Sequence, residues 1–132
     1  MEMNRVVAKV GEKVLIVLPY NSTGSYGSWE LPKGLSSSTK EILKQAIDND
    51  LPVTDELSFE CSTEDGSKFR ITRCLIDGEP TKFHCNSDVK DYENYPGMVF
   101  PAYVQMQFVS PMKAQKLLKR FHAFVLSTAL QA

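Results

Sequence analysis

The sequence predicts an α+β domain, a mixed β-sheet held between helices. Three observations predict it. Valine- and isoleucine-rich segments come in pairs joined by short glycine turns. Apolar residues recur at helical spacing in two places, at Ile42, Leu43, Ala46 and Ile47 and again from Met112 onward. The order that results is strand, strand, helix, strand, strand, strand, helix.

Arg5 to Val10 and Lys13 to Leu18 form the first pair, with Gly11-Glu12 as a tight turn. The second strand is almost wholly apolar, which predicts burial on both faces. Asn21 to Ser28 is polar and glycine-rich and reads as a loop. Ser36, Ser37, Ser38 and Thr39 offer caps for a helix starting near Lys40. Leu51-Pro52 ends it, because proline disfavours helical backbone in the residue before it.

Leu57 to Cys61 and Phe69 to Ile76 read as two more strands, with Asp65-Gly66 as their hairpin turn. Gly78 to Gly97 is polar and broken by Pro80 and Pro96, so it reads as an irregular surface excursion. Tyr103 to Val109 is a further strand. Ser110-Pro111 then starts a long final helix, whose buried stripe is Met112, Ala114, Leu117, Leu118, Phe121 and Val125. Phe124, Val125, Leu126, Ala129 and Leu130 exceed what one stripe needs near a chain end. They suggest a homodimer or protein partner, set against a tail packed on its own sheet.

Length fits one core, so residues 1–132 are expected to form a single domain. The formal net charge of −1 and the lack of a basic stripe argue against duplex nucleic acid as a partner. Val14 to Leu18 is too short to span a bilayer, and no signal peptide is visible, so no membrane association is expected. Cys61, Cys74 and Cys85 are odd in number and irregularly spaced, which points to a reducing, cytoplasmic setting. Together with His84 they lack the paired spacing of a zinc site and read as simple thiols.

The chemistry concentrates in Trp29-Glu30-Leu31-Pro32-Lys33-Gly34, just before the first helix. This W-x-L-P-K-G run, in this order of elements, resembles the Nudix superfamily, and the resemblance extends over nearly the whole chain. It implies a Nudix-like α/β/α sandwich. The Leu-Pro-Lys-Gly form is similar to members acting on dinucleoside polyphosphates or diphosphoinositols. The family's box, G-x5-E-x7-R-E-U-x-E-E-x-G-U, sets three glutamates at i, i+3 and i+4 on one helix face. Their oxygens hold Mg²⁺ at about 2.1 Å, and the metal neutralises a diphosphate and helps activate water.

Starting at Gly34 with the family's spacing, that frame fails, since it puts Pro52 and Val53 at metal positions. A loop shorter by three keeps the apolar positions apolar and is preferred. It sets Ala46, Asn49 and Asp50 at the metal positions and Gln45 at the arginine. A loop shorter by four sets Gln45, Asp48 and Asn49 there. One carboxylate survives in either frame. At the box's opening glutamate stands Lys40, with Glu41 adjacent.

The candidate ligand-binding residues are therefore Trp29, Lys33 and Gly34. Lys33 would contact a phosphate, Trp29 would stack on a flat ligand or anchor the loop, and Gly34 would be a turn glycine. The candidate remnant metal ligands are Glu41, Asp48 and Asp50, although Glu41 also suits the positive end of its helix. The same resemblance implies a catalytic base that some members draw from outside the box, where Asp77, Glu79, Asp88, Asp91 and Glu93 stand. The expectation is a protein that binds a phosphorylated, nucleotide-like small molecule, with standard Nudix hydrolysis doubtful. Its alternatives are a divergent pyrophosphohydrolase of a nucleoside-diphosphate-linked compound and a noncatalytic interaction scaffold. Mg or Mn is implied only if the protein is active.

Overall fold

The computed structural model describes residues 2–19, 28–35, 37–47, 50–85, 89–92, 95–101 and 103–132, with side chains omitted within 86–102. Strands β1 (Met3–Val10) and β2 (Lys13–Pro19) flank Gly11, whose φ of 59° makes the left-handed turn that glycine tolerates best. They are followed by β3 (Lys33–Gly34), α1 (Thr39–Lys44), β4 (Val53–Ser62) and β5 (Lys68–Ile76). After a 3₁₀ turn at Pro80–Lys82 come β6 (Val89–Tyr92), β7 (Tyr95–Pro101) and β8 (Tyr103–Val109). Helices α2 (Pro111–Leu117) and α3 (Arg120–Gln131) close the described chain.

The main sheet runs β4-β5-β1-β2-β8, with β3 paired to β1. The β1–β5 pairing is parallel and the others are antiparallel, so the sheet is mixed. Alternation along β1 and β2 divides their side chains between two cores. Val6, Ala8, Leu15 and Val17 pack with Ile42, Leu43 and Ala46 of the α1 region. Val7, Val14 and Ile16 pack with Leu126, Val125 and Ala129 of α3. Val14 to Leu18 is buried throughout, as its unbroken apolar run requires.

Several elements differ from the sequence expectation. Strand β4 begins at Val53 rather than Leu57, because Glu56 at its bulge is neutralised by Lys9 at 3.0 Å and Arg73 at 3.1 Å. Residues 78–97 are not wholly irregular, since they contain the 3₁₀ turn, β6 and part of β7. The final helix is two helices. At Leu118 and Lys119 ψ swings to 148° and 153°, where Leu118 bridges to Trp29. The break resets the buried stripe to His122, Val125, Leu126 and Ala129. Met112 is left 73% exposed. Of the terminal apolar cluster, Val125, Leu126 and Ala129 are buried against the chain's own sheet, and Phe124 is 61% exposed. Among the described residues no helix is long and apolar enough to cross a membrane.

Helix α1 is also shorter than its apolar spacing suggests. Ser38 caps it by accepting the Glu41 amide at 3.3 Å. The chain then tightens: the Gln45 and Ala46 amides bond three residues back, to Ile42 and Leu43. Ile47 leaves the helix to bridge Cys85.

Candidate functional site

The hairpin of β1 and β2 is paired near its turn, at Lys9 with Val14 and Val10 with Lys13. Farther from the turn the 29–34 segment bonds to both strands. Glu30 exchanges both backbone hydrogen bonds with Val17 of β2, each 2.8 Å. Val6 of β1 donates to the Pro32 carbonyl at 2.8 Å, and β1 pairs through Asn4 and Arg5 with Gly34 and Lys33. The motif is thus wedged into the sheet, which fixes its backbone where a surface loop would leave it mobile.

That wedge places Glu30 in the middle of a charged cluster. Its carboxylate is nearly buried, with Lys33 Nζ at 3.5 Å, Lys119 Nζ at 3.9 Å and His122 Nε2 at 4.0 Å. Arg5 adds a fourth basic group. Its guanidinium carbon lies 4.7 Å from the Phe121 ring centre and 5.3 Å from that of Phe69. Burial lowers the Arg5 pKa, with Glu30 opposing, and the buried Nε has no hydrogen-bond partner. The Leu31 amide donates to His122 Nδ1 at 3.3 Å. Burial is the main cause that pulls His122 down to about 4, while Glu30 opposes it and Arg5, Lys33 and Lys119 add to it. The imidazole is therefore neutral near pH 7, its proton on Nε2 facing Glu30. Among the described residues Arg5, Lys33 and Lys119 then outnumber the one carboxylate of the cluster, which is net positive.

Trp29 is half-buried against the α3-side core and bridges Leu118. Lys33 keeps a 39% exposed side chain, and its backbone is hydrogen-bonded by the buried Tyr103, whose hydroxyl pKa burial raises. Gly34 has no positive φ. Its requirement is packing: a Cβ there would meet Ile42 Cγ1 at 2.9 Å.

The candidate metal residues lie on the α1 side. Glu41 occupies the third helical position after the Ser38 cap, the place of a capping-box glutamate. Asp50 is 93% exposed and pairs with Lys40 at 3.3 Å. Ala46 is fully buried in the α1-side core. Asp48 and Asn49 lie outside the described residues, as do Asp88 and Glu93. Among the described residues no three His, Cys, Asp or Glu side chains gather as metal ligands would, so those described do not by themselves fit a divalent ion. Cys74 is buried, and burial pushes its thiol up to about 12. Burial raises Cys61 and Cys85 as well, which leaves all three poor nucleophiles.

Comparison with protein-family profiles and with curated proteins found no match. Solved structures do match. A C. elegans Ap4A hydrolase in a binary complex has a TM-score of 0.65 at 9% identity, covering 98% of this chain and 96% of that one. The Nudix domain of Shewanella oneidensis NrtR, complexed with ADP-ribose, has a TM-score of 0.61 at 12% identity, covering 99% and 86%. The fold is the Nudix fold. A further Nudix-fold neighbour is a bifunctional NMN adenylyltransferase/ADP-ribose pyrophosphatase from Francisella tularensis, complexed with AMP and a Mn ion. It has a TM-score of 0.61 at 12% identity and covers 98% of this chain and 40% of that one. In this Nudix fold the wedge sends Trp29 toward the α3-side core and Gly34 against Ile42 of α1, while Lys33 pairs with Glu30 and Asp50 with Lys40.

Sequence reasoning assigned no site role to Glu30, Arg5, Lys119 or His122, the last read as a structural or surface residue. For His122 a signal existed, since it stands at i with Val125, Leu126 and Ala129 at i+3, i+4 and i+7. Glu30 carried none beyond its place inside the motif.

Proposed function

We propose that this protein binds a phosphorylated, nucleotide-like small molecule at the 29–34 turn, acting as a single domain. Lys33 carries the reading: a partly exposed ammonium on a turn whose backbone is locked into the sheet. A cation held this way loses little conformational freedom on meeting a phosphate. Lys119 and Arg5 keep its surroundings net positive, which favours an anion. Solved Nudix-fold neighbours include complexes with ADP-ribose and AMP, which fits the ligand class. Calorimetry against nucleoside diphosphates, dinucleoside polyphosphates and ADP-ribose tests the reading. Binding that Lys33→Ala weakens supports it, and no heat at millimolar ligand sinks it.

The second reading is a divergent pyrophosphohydrolase needing Mg or Mn. It is favoured by one observation, the 93% exposed side chain of Asp50 beside the box helix. It requires metal-dependent phosphate release that Asp50→Ala abolishes, and an inert panel with both metals removes it.

A further inference from the structure

We propose that His122 is a positioning residue for the ligand-holding turn, fixing the Leu31 amide so that the backbone carrying Lys33 keeps its place. The proposal rests on the binding role given above to Lys33. Within the wedge the two residues flanking Leu31 already bond to the sheet, Glu30 to β2 and the Pro32 carbonyl to β1. The Leu31 N–H turns off the sheet toward α3 and is buried there, so it needs an acceptor. His122 Nδ1 supplies one, 91 residues away along the chain. With Nδ1 accepting, the neutral ring carries its proton on Nε2, which faces Glu30 Oε1 at 4.0 Å.

Nδ1 is thus committed to the turn, while Nε2 faces Glu30 beyond hydrogen-bond reach. A leucine or phenylalanine would fill the same place in the buried stripe of α3 and supply neither contact. Leu31 lies two residues before Lys33, whose ammonium pairs with Glu30 at 3.5 Å. The bond from Leu31 to His122 thus joins the outer helix to the turn that carries Lys33.

Two amide variants separate the roles. His122→Asn places an amide oxygen near the Nδ1 position and can still accept from Leu31. His122→Gln places its amide near Nε2 and faces Glu30 alone. Trp29 is the only tryptophan in the sequence and adjoins Glu30, so its emission reports on the turn. Thermal melting, Trp29 emission and calorimetric titration with ADP-ribose and with inorganic pyrophosphate are measured on the full chain. His122→Asn is expected to keep the wild-type emission and to bind within about threefold of wild type. His122→Gln is expected to shift the emission and to bind about tenfold more weakly, the scale of one hydrogen bond. Equal behaviour of the two variants in emission and affinity overturns the proposal, whatever their melting temperatures. If the wild type binds neither ligand, the binding role of Lys33 falls. The emission contrast then decides the positioning role alone, with a shift in Gln and none in Asn supporting it and matching spectra overturning it.

Discussion

Lowering the pH from 7 to 5 should cost this protein about 2 kcal/mol through His122 alone. The ring is buried and held near pKa 4, against an ordinary value of 6.5. The folded state therefore binds its proton less readily than the unfolded chain does. Stability from this group is full above the unfolded value and falls as the pH drops through 6.5. It stops falling near pH 4, where the folded ring also protonates. The whole window spans about 2.5 pKa steps at 1.36 kcal/mol each, or about 3 kcal/mol, of which roughly two thirds is lost by pH 5. Urea unfolding of the wild type and of His122→Asn at pH 7, 6 and 5 measures it. The difference in stability between the two proteins should shrink, or reverse in favour of the variant, by about 2 kcal/mol. Parallel losses in both proteins would refute the reasoning, as would an imidazole resonance for His122 that titrates near 6.5.

Other expectations are more local. Gly34→Ala should cost about 1–3 kcal/mol in thermal or urea melts, because the added methyl meets Ile42 in a full core. Leu126→Ala, fully buried between α3 and the sheet, should cost about 2–5 kcal/mol by the same assay. Ser38→Ala removes the cap of a six-residue helix and should cost about 1 kcal/mol, read by urea unfolding. Lys33→Ala should weaken nucleotide binding about tenfold while leaving the melting temperature within a few degrees, since its ion pair with Glu30 is partly exposed.

What the sequence made legible was local chemistry. The glycines of the two hairpins sit at φ 59° and 86°, and Ser110 accepts the Lys113 amide at the head of α2. Each of these depends on residues within a few places of one another. The split between α2 and α3 could not be read in this way. Leu118 and Lys119 are neither glycine nor proline, and the apolar spacing runs through them. The break occurs where Leu118 meets Trp29, a contact no local pattern encodes. The wedge of 29–34 between β1 and β2 was hidden for the same reason. The charged cluster was hidden more deeply, because Arg5, Glu30 and His122 come from three distant parts of the chain. For the box helix, sequence spacing had set Ala46 at a metal position, and the structure places Ala46 inside the core.

The place of β1 in the sheet has a consequence for how the molecule is made. Met3 to Lys9 pair in parallel with Phe69 to Leu75, so β1 waits for chain made much later. The 29–34 turn can bond to β1 and β2 early, yet Lys119 and His122 emerge only much later. Until they do, Glu30 and the Leu31 amide remain in water. The proposed ligand site thus gains its charge balance only with α3, and a nascent chain stalled before α3 should not hold the ligand.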